Sequence, residues 1–491
     1  MAYATTGDGN WSAAGTWVGG SIPPEPIDDA VTIGHDVALD VDRTTGDVTV
    51  TVNAGDTLTV NAAKTLTVAA GTLSVSGTVD VAGALSCTSG HVSIANGGEV
   101  HVQAGGAYTN TNYLTVAAGG VLDADAAITI GGTPTIDGDL ECAASLTYDG
   151  GGSPSGTGTV TFDAAAGNPT LACNGQRLPA VVVDNNGAAS FALADAARVA
   201  SLTQTAAGSV FDDDGNTLDA AGDILCTDGT TASAAMWTMS GDGNLGEDSY
   251  ANRLYGLTVA AGVTATATAT VWIRRLAGAG AVDVNGQTVT VECFASGADW
   301  WTFTGTVTGA VTIYNATAGC TAPLVVSGAL TLDTTSARAF SLAARIECGG
   351  KLLLDGGSED GYTIDCAGHS VRCSELVLGP EGAVDGFGAM DLAGGVHVIG
   401  AGGIHRGNAA NVGDALNLGS CALELAGTLD ATGITCTADA AGVVHVIGGT
   451  ITDTDGQLDT QIHAHDTTDG GNNANVSFDA YAHPAWAGGC A

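Results

Sequence analysis

Positive charge is what this 491-residue chain has least of: 12 lysines and arginines, of which only Lys64 and Lys351 are lysine, face 52 aspartates and glutamates, a formal net charge of 12 − 52 = −40. A surface of that sign repels phosphate, which excludes nucleic-acid binding and favours solubility. Proline (10 residues) and aromatics (5%) are also sparse, whereas hydrophobic residues reach 45% and so exclude wholesale disorder. The 74 glycines are about twice average usage without any G-X-Y period, which excludes collagen. No helical periodicity is sustained. Residues 1–10 lack the basic and apolar regions of a secretory signal, and no lipidation signal is evident, so the chain is expected to be made and left in a cytoplasm. Two uncharged stretches, 254–273 and 300–332, are long enough to span a bilayer. In the first, however, Thr264, Thr266, Thr268 and Thr270 alternate with alanine, and the second is broken by Gly305, Gly309, Gly319 and Pro323, so both read as short strands and no membrane insertion is expected. There is no G-x-S-x-G elbow, H-E-x-x-H or phosphate-binding loop, and carboxylate pairs arise by chance among 52 acids. The chain is therefore expected not to be an enzyme.

What is present is a ladder of very short strands. Thr57-Leu-Thr-Val60, Thr65-Leu-Thr-Val68, Thr72-Leu-Ser-Val75, Thr78-Val-Asp-Val81, Ala84-Leu-Ser-Cys87, His91-Val-Ser-Ile94 and Glu99-Val-His-Val102 each place two apolar residues at i and i+2. Their first inward residues, Leu58, Leu66, Leu73, Val79, Leu85, Val92 and Val100, advance by steps of 8, 7, 6, 6, 7 and 8, so three strands close a repeat of 21 residues twice. No such unit can bury its apolar face alone, but stacked units can. The expected fold is all-β, a right-handed parallel β-helix (β-solenoid) with terminal caps. At about 21 to 25 residues per coil and about 4.8 Å per layer, it would have about 20 coils and a length on the order of 100 Å. An antiparallel sandwich is the alternative, but it would need longer strands and Asn-Gly or Asp-Gly turns.

The regular solenoid is assigned to 46–150. The run from Asp149 to Gly158 reads as a loop or flexible joint, and 151–450 continues as a solenoid with longer loops through Val160-Thr-Phe162, Val181-Val-Val183, Val282-Asp-Val284, Val289-Thr-Val291 and Leu330-Thr-Leu332. An echo of Gly395-Val-His-Val-Ile-Gly400 in Val443-Val-His-Val-Ile-Gly448 sets His397 and His445 48 residues apart, or two coils of about 24. Residues 451–491 turn polar and are expected to cap the open end.

Nine of the 12 cysteines (Cys87, Cys142, Cys173, Cys226, Cys293, Cys348, Cys366, Cys373 and Cys436) occupy the second inward slot of a strand, and Cys421 is in phase with Leu423 and Leu425; only Cys320 and Cys490 fall outside the rule. Buried free thiols are expected, with vertical disulfides between coils as the alternative. Without a C-x-x-C pair, structural zinc is not expected. Asp453, Asp455 and Asp459 are spaced like part of a calcium loop without its closing glutamate, although an Asp/Gly-rich turn is the commoner explanation; Asp212 to Asn216 is a weaker match. No cofactor is expected, with calcium at Asp453, Asp455 and Asp459 as the alternative. His463 and His465, beside Asp466, would need a third ligand to grip a metal. Strand alternation places Trp301 and Phe303 inward with Trp300 outward, and Val271 and Ile273 inward with Trp272 outward, just before Arg274 and Arg275. Trp272 and Trp300 are thus the candidate carbohydrate-binding residues, with a subunit interface or an isolated surface position as equal alternatives.

The N-terminal string Gly9-Asn-Trp11-Ser-Ala-Ala-Gly-Thr-Trp17-Val-Gly19-Gly20-Ser-Ile-Pro23-Pro24, followed by Asp28-Asp29-Ala-Val31-Thr-Ile33-Gly34, resembles the start of the G8 domain, a glycine-marked β-rich module at the head of β-helical surface proteins. The resemblance covers the first 40 to 60 residues. It implies that 1–45 forms a G8-like cap or first coils, and it implies no chemistry. The whole, together with Thr468 to Phe478, is similar to β-helical fibre or adhesin proteins of tailed bacteriophages. That likeness implies a non-enzymatic structural or adhesive virion component, made in the host cytoplasm and exposed to the medium. Its partners would be copies of itself (a homo-oligomer, for example a trimer), other virion proteins and a host-surface glycan. A polysaccharide depolymerase on the same fold and a cell-surface or extracellular filament subunit are the alternatives.

Overall fold

The computed structural model describes residues 2–185 without a break, most of 190–355 in shorter stretches, and beyond that mainly the backbone of individual strands. It is all-β with almost no helix, and its parallel strands stack as a β-solenoid of about 13 turns among the described residues; the roughly 20 expected from the repeat length refers to the whole chain. The chain divides into two units, residues 1–254 and 255–491.

In the first unit each turn carries three strands. The seven strands anticipated between 57 and 102 occur with the same bounds, from Thr57–Val60 to Glu99–Val102. The 21-residue step is the observed register: Leu58 pairs with Val79 and Val79 with Val100. All seven first inward residues are at most 1% exposed. Alternation follows from the pleat, which sends Leu and Val inward and leaves Thr, Ser and Asp on the outer face. Glycine at the corners has a steric cause. A Cβ at Gly83 would collide with the backbone carbonyls of Asn61 and Lys64 in the coil beneath, so the coils can touch there only if the side chain is missing.

At the N-terminus, Tyr3–Ala4 pairs with Val31–Ile33 and Gly9–Asn10 with Val37–Leu39, so residues 3–10 belong to the stack itself. An antiparallel bridge from Thr5 to Trp17 folds the following loop back. Trp11 and Trp17 are buried edge-to-face with ring centroids 4.8 Å apart, and the Trp17 indole N–H donates to the Trp11 carbonyl at 2.8 Å.

Residues 149–158 form a loop, as their glycines suggested, and it is tied to the coils on either side. Ser155 donates to the Pro134 carbonyl and accepts from Ile136, and the Thr157 amide donates to Asp137 at 3.0 Å. The Tyr148 hydroxyl is held against the carbonyls of Gly132, at 2.7 Å, and Gly152. One ladder crosses the segment without interruption, Leu140 pairing with Val160 and Val160 with Val181. The third ladder does not cross it: one sheet ends at Thr135–Ile136, the next begins at Arg177–Leu178, and a single bridge from Thr135 to Ser155 lies between. Pro154 and Pro179 supply no N–H to that face.

The second unit repeats the scheme. Val271–Ile273 pairs with Val289–Glu292, then Val311–Tyr314, Leu330–Asp333 and Lys351–Asp355. Val271, Val289, Val311, Leu330 and Leu352 point inward, all 3% exposed or less. The histidine echo is two coils apart but out of register: Val396 pairs with Leu423 and Leu423 with Val446, so His397 aligns with Glu424 and Ile447, two positions away from His445.

Candidate functional site

On the outer face of the first unit the register builds a column of titratable groups, Asp80 beside His101, then Asp123, then Glu141, one per coil. The His101 ring lies 3.2 Å from Asp80 through Nδ1, and 3.4 Å from Asp125 and 3.8 Å from Asp123 through Nε2. Gln103 donates to both oxygens of Asp80 at 2.8 and 2.6 Å and fixes that carboxylate. Burial by itself would lower the His101 pKa, but the hydrogen bond to Asp125 and the charges of Asp123, Asp80 and Asp125 outweigh it and hold the ring above the ordinary histidine value. Partial burial raises Asp123, and repulsion from Asp125, Asp163 and Glu99 adds to it, against the pull of His101. Glu141 is raised by burial and then by Asp123, Asp163, Asp139 and Glu99, and Asp163 by burial with Asp125 and Asp184. Among the described residues, no group of three or more His, Cys, Asp or Glu side chains is arranged to hold a metal ion.

The two tryptophans part company. Trp272 is on the outer face and half-buried, its ring edge-on to Tyr314 at 6.1 Å. The intervening strand Val289–Glu292 is buried on both faces, with Thr290 at 2% and Glu292 at 0% exposure. Trp272 and Tyr314, in the coils on either side of that strand, lean together over it. Trp300, expected outside, is 3% exposed and packs edge-on to Trp301 at 6.3 Å. It precedes the strand, which begins at Trp301, so the two-residue alternation does not reach it. Trp301 and Phe303 are in the core as anticipated.

Asp453, Asp455 and Asp459 lie outside the described residues, as do the side chains of His463, His465 and Asp466. In the weaker acidic match, Asp213 is fully buried and spends both oxygens on the protein: it accepts from the Gly215, Ala234 and Ala235 amides and from the Trp237 indole N–H at 2.9 Å. Its role is to tie a turn to the core, and sequence spacing gave no sign of it. Six cysteines of the inward series, Cys87, Cys142, Cys173, Cys226, Cys348 and Cys373, are described, and all are buried. Burial pushes the Cys87 thiol up to about 11 and Cys173 to about 12, and raises Cys142 as well.

The column was readable in principle, because the 21-residue step that aligns Val79 with Val100 also aligns Asp80 with His101. No family model, curated protein or solved structure matches the chain.

Proposed function

We propose that the chain is a non-enzymatic structural and adhesive β-solenoid, a component of a bacteriophage fibre or appendage that contacts a host surface. The observation that carries this reading is the unbroken register of one outer-face ladder from Thr78 to Cys142: side chains repeat one layer apart, on a backbone pinned to the coils before and after it. Such a surface is preorganised, so little ordering entropy opposes the contact of many weak subsites with a repeating polymer. The test is whether the chain travels with virions. In a lysate where the chain is detected by mass spectrometry, it should co-sediment with intact phage particles through a density gradient, and antibodies against it should decorate an appendage. Recovery only in the cell-surface fraction, or only as free soluble protein, would overturn the assignment.

One observation favours a second reading, a polysaccharide depolymerase: Asp123 and Glu141 are register neighbours with raised pKa values, as a general acid requires. Release of reducing ends from a polysaccharide panel, abolished by Asp123→Asn or Glu141→Gln, would establish it; no release would remove it.

A further inference from the structure

We infer that the gap in the third ladder of the first unit is a binding site for one carboxylate-bearing sugar. This rests on the surface-contact reading above and names a ligand class for it. The missing pairing between Thr135–Ile136 and Arg177–Leu178 leaves a surface pocket of about 330 Å³. That is at the small end of ligand pockets, which span roughly 300–1,000 Å³, and suits one ring-sized molecule. Pro154, Leu178, Pro179 and Ala200 form its apolar wall, and Arg177 and Arg198 its polar side.

The arginines are register partners, and Asp219 is the next position in the column. Arg177 lies along that column: Nη2 meets the Asp219 carboxylate at 2.6 Å and donates to Ser240 Oγ at 3.2 Å, while Nη1 donates to the Val199 carbonyl at 2.7 Å. Arg198 meets the same Asp219 oxygen through Nε alone, at 3.2 Å. Its two Nη groups make no hydrogen bond or ion pair among the described residues, and its side chain is 48% exposed. Two guanidiniums thus share one carboxylate, and the other carboxylate at the lining, Asp137 beside Gly156, accepts from the Thr157 amide. A guanidinium held by Nε with its Nη pair open is the fork that takes a carboxylate through two parallel hydrogen bonds. The proline faces beside it accept the apolar face of a sugar ring, and the Ser153 hydroxyl, also in the lining, donates to Gln176 and accepts from the Arg177 amide, which leaves it one acceptor site for a ring hydroxyl.

Isothermal titration of the full chain with D-glucuronate, D-glucose, acetate and inorganic phosphate tests the assignment. Glucuronate should bind, and glucose (no carboxylate) and acetate (no ring) should each bind at least about tenfold more weakly. Arg198→Ala and Arg198→Lys should both weaken glucuronate by about tenfold or more, because lysine keeps the charge but not the fork. Pro154→Gly, which removes part of the wall and spares the arginines, should reduce glucuronate binding and leave acetate unchanged. The inference is overturned if glucuronate does not bind, if Arg198→Lys binds it as the natural chain does, or if phosphate and acetate match it. Retention on a polysaccharide panel separates the two readings: retention that survives Arg198→Ala keeps the adhesive function and removes this site from it.

Discussion

Two stretches of the first unit use the same coil to different ends. Between 57 and 102 the interior is filled by Val, Leu and Ile, with Cys87, in repeating columns such as Leu58, Val79 and Val100. Between 159 and 239 the interior keeps aliphatic residues such as Val160, Val181 and Leu202 and adds an aromatic stack, Phe162, Phe191, Phe211 and Trp237, with centroids 4.5, 5.3 and 5.2 Å apart. The aromatic stretch also buries polar groups, Asn185, Gln204 and Asp213. Hydrogen bonding along the parallel ladders is the same in both, so the backbone does not dictate the filling. The aliphatic coils are interchangeable layers. The aromatic coils are specified individually, because each ring must fit the next and Asp213 must meet the Trp237 indole.

The largest expected effect breaks that difference at its most specific point. Asp213→Ala leaves four N–H donors without their acceptor; at about 1–3 kcal/mol for each buried orphan, the loss should exceed about 3 kcal/mol in urea unfolding followed by tryptophan fluorescence. In the aliphatic stretch, Val100→Ala should cost about 1.5–3 kcal/mol, the worth of one buried side chain, in the same assay. A similar cost at the two sites would mean that the aromatic stretch is no more specific than the aliphatic one. Gly83→Ala should cost about 1–3 kcal/mol through overpacking against the coil beneath, whereas Gly151→Ala, where a Cβ meets nothing within 4 Å, should be neutral.

The smallest effect is electrostatic. His101 has a folded pKa above its unfolded value of 6.5, so the stability it contributes is complete below that value and is lost as pH rises through the folded pKa. Asp123, Glu141 and Asp163 are raised too, and their ionisation penalises the fold in the same direction from lower pH upward. His91, lowered by burial, acts in the opposite direction over the same window, so the effect is read as a difference: between pH 6 and pH 8 the natural chain should lose stability relative to His101→Gln by under about 1 kcal/mol, the ceiling for a part-exposed pair. A dependence left unchanged by His101→Gln would show that the ring does not report on its carboxylates.

What was legible in the sequence is whatever the pleat and the coil period control together. The inward set from Leu58 to Val100, the strand bounds and the buried cysteines all follow from alternation plus a fixed step. The same step also places Arg177, Arg198 and Asp219 in one column, but an outward column has no apolar signature to draw attention to it. Trp300 was misjudged because alternation stops where the strand does, whereas the loop at 149–158 was legible and the ladder it interrupts was not. The repeated Val-His-Val string misled by two residues, since an insertion of even length keeps every side chain on its face and shifts only its partner.

The central claim is that successive coils lie in parallel register, 21 residues apart along the column Leu58, Val79 and Val100, and cross-linking reads it directly. Thr59 and Asp80 are outer-face register partners, whereas Thr59 and His101 are two coils apart. A disulfide needs Cα atoms about 4.4–6.8 Å apart, which adjacent layers provide and alternate layers do not. In the double variant Thr59→Cys, Asp80→Cys, mild oxidation followed by peptide mapping should find a bond between positions 59 and 80. The control Thr59→Cys, His101→Cys should form none. A bond in the control, or none in the test pair, would contradict the register on which the account rests.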